Sequence, residues 1–163
     1  MKKAQRFLAC VLILAFTFVS CSNDNGVEEI ESINLRTYVH SSAEVQLLDL
    51  VNAHRVNQGL NALQIIEHIS FTSSEHNAYM IAVNQANHDN FSSRKEHLER
   101  VLAATRVGEN VAYGFSSPQA TLNAWIASEA HNVNLMGNYT HFGLSIKENE
   151  NGRRYYTAIF IRK

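Results

Sequence analysis

Residues 141–162 read HFGLSIKENENGRRYYTAIFIR, the pattern of a C-terminal hairpin around which the rest of the chain is arranged. His141 to Lys147 and Arg154 to Arg162 are expected strands. Residues 148–153, containing Asn151-Gly152, are the expected hairpin turn between them. Along the second strand Tyr156, Ala158, Phe160 and Arg162 share one face, and Tyr155, Thr157, Ile159 and Ile161 share the other. Both faces are largely apolar. The sheet is therefore expected to be covered on both sides.

The covers are read upstream. Ser41-Ser42-Ala43-Glu44 has capping-box spacing. Val45, Leu47, Leu48, Leu50 and Val51 follow on helical spacing, and Gly59 offers a stop. A second helix is expected over much of Glu67 to Gln85, with Ile69, Thr72, His76, Tyr79, Met80 and Val83 as its inward stripe. Residues 86–93 read as a polar loop. Ser93-Arg94-Lys95-Glu96 is a second capping box, expected to open a helix through about Thr105. Ser117-Pro118 suits an N-cap followed by proline in the first helical turn, ahead of Leu122, Trp125 and Ile126. Helices first and a hairpin last predict an α+β sandwich.

The N-terminus reads differently. Lys2, Lys3 and Arg6 precede a run from Phe7 to Val19 that is too short to span a bilayer comfortably but suits a secretory signal. The run ends in Phe18-Val19-Ser20-Cys21, which resembles a bacterial lipobox with Phe18 where leucine is usual. The reading is a signal over residues 1–20, a lipidated Cys21, a tether over residues 21–40 and a domain over residues 41–163. An uncleaved anchor helix and ordinary secretion are the alternatives. Ser22 to His40 carries Asp24, Glu28, Glu29 and Glu31, while Ile30, Ile33 and Leu35 leave open a short strand or a packed end.

After Cys21 the chain has eleven basic and fifteen acidic residues, a net charge of −4 with histidine neutral. No basic cluster exists beyond Arg94-Lys95 and Arg153-Arg154, which excludes nucleic acid as an expected partner. Cys10 and Cys21 are the only cysteines. The domain beyond them therefore has no disulfide, no thiol nucleophile and no thiolate metal site.

Four further segments carry the candidate chemistry: Asn87-His88-Asp89-Asn90-Phe91-Ser92, Gly108-Glu109-Asn110-Val111-Ala112-Tyr113-Gly114, Trp125 to His131 (WIASEAH), and Asn138-Tyr139-Thr140-His141-Phe142-Gly143. With LLDLVNAHRVNQGLNAL at residues 47–63, their order and content resemble the CAP superfamily of cysteine-rich secretory proteins, antigen 5 and pathogenesis-related proteins of group 1, in its bacterial SCP-like branch. The resemblance covers roughly Glu44 to Phe160. It implies an α-β-α sandwich around a central antiparallel sheet. It also implies a cleft lined by two histidines and two acids, which in some members binds a divalent cation such as zinc.

Carried over residue by residue, the histidines fall on His88 and His131 and the first acid on Glu109. Glu129 is the nearest candidate for the second. On a continuous helix Glu129 and His131 would point about 200° apart, so both line the cleft only if the helix ends near Ser128. Neutral imidazoles ligate divalent metals, and a carboxylate can orient a ligating histidine or act as a base on bound water. Two histidines without a third protein ligand make a weak site with water in the open positions. Glu109-Asn110 equally suits a buried polar pair that fixes a loop, with Gly108 and Gly114 supplying turns. Arg55 is expected in a structural ion pair, His141 in a structural or a rim position, and Trp125, Tyr139 and Phe142 in the core. His40, His68, His76 and His97 show no partner in the sequence.

The expected protein is a monomeric binding module. It is held to a membrane of the cell envelope through lipidated Cys21, with a metal ion or a small envelope ligand in its cleft. The alternative is a hydrolase of envelope polymers or peptides, with Glu109 activating a metal-bound water.

Overall fold

The computed structural model of the protein describes residues 34–163; the expected signal, Cys21 and most of the expected tether lie outside the described residues. The elements are α1 (Ser42–Asn57), β1 (Gln64–Ile65), α2 (Glu67–Ala82), α3 (Phe91–Leu102), β2 (Arg106–Tyr113), α4 (Pro118–Ala127), α5 (Glu129–Leu135), β3 (His141–Glu148) and β4 (Arg154–Arg162). The strand order is β1-β3-β4-β2. The three long strands are antiparallel, with Phe142 opposite Phe160 and Asn110 opposite Ala158. The two-residue β1 adds a parallel edge that the sequence reading lacked.

The alternation expected in β4 organises both halves of the core. Tyr156, Ala158 and Phe160 join Leu47, Leu48, Val51, Leu122, Trp125, Leu135, Phe142 and Leu144 in one buried cluster, which seats α1, α4 and α5 on that face. Ile159 and Ile161 pack with Ile69, Leu98 and Leu102 on the other, under α2 and α3. Tyr155 packs there with Met80 and Val111. Helices on both faces of a mostly antiparallel sheet make an α-β-α sandwich, the fold class expected.

Local signals explain most boundaries. The Ser41 box forms: Glu44 N–H donates to Ser41 Oγ at 3.3 Å and Ser41 N–H to Glu44 Oε2 at 2.7 Å. Ser117 Oγ accepts from Ala120 N–H at 3.2 Å, with Pro118 next in the helix. Asn149 Oδ1 closes the hairpin turn, accepting from Asn151 and Arg153 N–H, and Gly152 takes φ +73°.

Three expectations fail. The Ser93 box does not form, because α3 starts at Phe91, just after Asn90 in the left-handed region at φ 58°. The GEN segment is the strand β2 rather than a loop. Arg55 is fully buried with no acidic partner among the described residues; its guanidinium donates to the carbonyls of Asn61, Leu135 and Gly137 at 3.0, 2.6 and 3.0 Å, tying the loop after α1 to the end of α5 instead of forming an ion pair.

Residues 36–40, the end of the expected tether, pack on the domain. Tyr38 Oη donates to Glu44 Oε1 at 2.7 Å and lies 2.9 Å from Ser145 Oγ. Burial is the main cause pushing the Tyr38 hydroxyl up to about 12.

Candidate functional site

β2 is an edge strand, and its period of two sends Glu109 and Asn110 to opposite faces of the sheet. Each then fixes one histidine from a different layer.

Glu109 faces α2 and α3. Its side chain is 1% exposed, yet both oxygens are occupied. Arg94 Nε donates to Oε2 and Arg94 Nη2 to Oε1, each at 2.8 Å, a bidentate pair. His88 Nδ1 lies 2.8 Å from Oε1. Burial pushes the Glu109 carboxyl up, but the hydrogen bonds from His88 and Arg94 and the Arg94 charge outweigh it, so the group sits below the ordinary carboxylate value. An ionised carboxylate only accepts, so Nδ1 of His88 carries a proton, and in the neutral ring Nε2 keeps the lone pair. The His88 backbone is clamped on both sides. Buried His76 donates from Nε2 to Asn87 O at 2.9 Å, and Arg94 Nη1 to Asp89 O at 2.7 Å. Tyr79 Oη donates to Asp89 Oδ2 at 2.8 Å.

Asn110 faces α5. It donates to His131 O at 3.0 Å and accepts from Asn134 Nδ2 at 2.9 Å, and Asn134 also donates to Glu109 O at 3.1 Å. Tyr139 Oη donates on to Asn134 Oδ1 at 3.3 Å. Gly108 belongs to this strap rather than to a turn, because a Cβ there would collide with the Tyr139 hydroxyl and lie 2.6 Å from Asn134 Oδ1. α4 ends at Ala127, Ser128 is extended at φ −98°, ψ 117°, and a new helix begins. Ser128 Oγ lies 2.8 Å from His131 Nδ1. Burial first, and then the His88 charge, hold the His131 imidazole below the ordinary histidine value.

The two histidines meet in a cavity of about 440 Å³ at the free edge of β2. Asn87 and His88 form one wall, Ser128 and His131 another, and Val111, Tyr113, Phe115 and Trp125 an apolar floor. Neither His88 Nε2 nor His131 Nε2 has a protein hydrogen-bond partner among the described residues.

The structure therefore brings together His88, Glu109 and His131. Glu109 reaches the cavity only through His88. Glu129 stands apart: it is exposed, in the first turn of α5, and does not line the cavity. The helix does end near Ser128 as its inclusion required, but the new helix again separates positions 129 and 131. His141 starts β3 with Nδ1 2.8 Å from Thr140 Oγ1 and is not in the cavity wall. Arg94 and His76 went unrecognised in the sequence; only the inward stripe of α2 pointed to His76. Among the described residues no group of three or more histidine, cysteine or acidic side chains is arranged to hold a metal ion. Of the side chains lining the cavity, the two imidazoles are those that could ligate a divalent metal.

A profile of the Cysteine-rich secretory protein family, CAP, matches residues 48–160. The uncharacterized membrane protein YlbC of Bacillus subtilis is 31% identical over 129 residues, covering 77% of this chain and 36% of that protein. An extracellular protein of Bacillus anthracis containing an SCP domain superposes with a TM-score of 0.66 at 28% identity, covering 74% of this chain and 40% of the other. An outer surface protein of Borrelia burgdorferi shares the fold, with a TM-score of 0.68 at 16% identity over 77% of this chain and 96% of that one. The chain spans little more than a third of the length of YlbC. Fold, motif order and family profile agree: the chain belongs to the Cysteine-rich secretory protein family, CAP.

Proposed function

We propose that the protein is an extracytoplasmic binding module whose cleft holds a divalent cation such as zinc through Nε2 of His88 and His131, with a small envelope ligand completing the open positions. The observation that carries this reading is the His88 Nδ1–Glu109 contact at 2.8 Å, which leaves the metal-binding nitrogen unprotonated and oriented. The apolar floor beside the imidazoles suits a ligand with an apolar body and a polar head.

A hydrolase with Glu109 as base is the weaker reading. Both its oxygens are already occupied by Arg94 and His88, and a carboxylate held below its ordinary value is a poor proton acceptor. Attachment to a membrane through lipidated Cys21 is part of the same proposal. A surface location is supported by two relatives, the extracellular anthrax protein and the outer surface protein of Borrelia.

Isothermal titration of the protein with zinc at about pH 7.5 tests the reading. Saturable binding at one site is expected, lost in the His88→Ala/His131→Ala double variant and weakened in acid as the imidazoles protonate. Absence of binding, or equal binding by the double variant, contradicts it.

A further inference from the structure

We propose that His68 is an acid-sensitive latch for residues 34–37, which are docked on α2 while its imidazole is neutral and peel away when it is protonated. The observation is a chain of hydrogen bonds with one allowed direction. Arg36 backbone N–H lies 2.9 Å from His68 Nδ1. A backbone N–H only donates, so Nδ1 must be bare and the His68 proton must sit on Nε2. That Nε2 lies 2.9 Å from His97 Nε2, which therefore accepts. A second proton on His68 would place N–H against N–H at Arg36, turning a bond into a repulsion.

The site favours the neutral state. His68 is 4% exposed at the contact of α2 with α3 and the N-terminal arm. Burial, followed by the His97 and Arg36 charges, holds its imidazole below the ordinary histidine value. The groups facing it are His97 from α3 and Arg36 from the arm. With Nε2 accepting, His97 carries its proton on Nδ1, so Arg100 Nη2, 3.5 Å from that nitrogen, is a nearby charge and not a hydrogen-bond donor to it; Glu67 is adjacent in α2. The Arg36 guanidinium lies over the Phe71 ring at 4.9 Å, so its charge stays near the imidazole.

The sign follows from the two states. With the arm released, His68 loses the Arg36 N–H and the Arg36 charge and part of its burial, so its imidazole titrates above its docked value. Docking is therefore strongest while the imidazole is neutral in both states, and it weakens as pH falls through the released value and on towards the lower docked one. The other contacts of the arm do not run through His68. Tyr38 keeps its proton and its bond to Glu44, and Tyr38 N–H donates to Glu67 Oε2 at 3.1 Å. His40 Nε2 lies 2.8 Å from Ser70 Oγ, a hydroxyl that can accept from a protonated ring as readily as donate to a neutral one. Tyr38 thus becomes the hinge. Four freed residues give the segment ahead of Tyr38 a reach of up to about 14 Å.

Amide hydrogen exchange of Arg36 in the full chain, at about pH 7.5 and 5.0 and corrected for intrinsic exchange, tests the latch. Protection is expected to fall about tenfold in acid, with the Met80 amide of α2 unchanged. In His68→Asn, Oδ1 stands near the place of Nδ1 and does not titrate, so protection should be equal at both pH values. Wild-type protection that is the same at both values, or an acid loss that persists in His68→Asn, overturns the proposal. A nitrogen-15 spectrum of wild type at about pH 7.5 gives a check without any variant. His68 must be the Nε2-protonated tautomer, and an Nδ1-protonated ring overturns the latch.

Discussion

Arg94→Ala is expected to lower the unfolding free energy by about 3–5 kcal/mol at pH 7, because it removes one partner of a buried ion pair and leaves the other charge behind. The Glu109 side chain is 1% exposed and that of Arg94 12%, so little solvent screens the remaining carboxylate. His88, half exposed, is its sole remaining close hydrogen-bond donor among the described residues. The loss should depend on pH with a definite sign. In wild type the Glu109 carboxyl lies below its ordinary value, so its contribution is complete above about 4.3 and is lost as pH falls through the lower folded value. Without Arg94, burial is opposed chiefly by the His88 hydrogen bond, so the carboxyl titrates above its wild-type value and the variant regains relative stability as pH falls and the group is neutralised. Urea denaturation at about pH 7 and pH 4.5 should show the gap between the two proteins narrowing in acid. A loss below about 1 kcal/mol at pH 7, or a gap that does not change with pH, contradicts this account of the site.

Gly143→Ala should be comparably damaging for a steric reason. β3 crosses α2 so closely that a Cβ at Gly143 would lie 2.5 Å from Ser70 N, 2.7 Å from Ser70 Oγ and 2.8 Å from Ile69 Cβ. Backbone cannot move aside as a flexible side chain can, and Ser70 Oγ is already fixed by Leu144 N–H at 3.1 Å. Overpacking of this kind costs about 1–3 kcal/mol and at rigid contacts more, so a loss of about 3 kcal/mol is expected in thermal or urea unfolding. Gly114→Ala is the comparison: at φ +80° it meets nothing within 4 Å, so strain alone should cost about 1 kcal/mol. Equal effects at the two positions would show that close approach is not what Gly143 provides.

These two sites also mark how far the sequence could be read. Residues whose partners are near in the chain announced themselves: the Ser41–Glu44 box, Ser117-Pro118 and the Asn151-Gly152 turn all form where their spacing put them. The alternation in β4 correctly required helices on both faces. What stayed hidden depends on distant partners. β2 reads as a loop because Gly108, Glu109 and Asn110 are poor strand formers; it is a strand because β4 pairs with it and both layers bond to its polar residues. Arg94 looked like part of a capping box, but α3 begins three residues before the expected first turn, and Arg94 instead carries the charge that holds Glu109. Tyr139 was read as core and is core, but its hydroxyl also closes the strap that fixes α5 beneath His131. The pairing of His88 with His131 came from motif order within the family. No local pattern would have shown that a free sheet edge lets two layers converge on one cavity.

A crystal structure of the protein soaked with zinc tests the metal site directly. One ion is expected in the cleft, bound by His88 Nε2 and His131 Nε2 at about 2.0–2.1 Å, with Glu109 still hydrogen-bonded to His88 Nδ1 and Glu129 in solvent. A cleft without zinc at saturating concentration, or an ion ligated directly by Glu109 or Glu129, would contradict it.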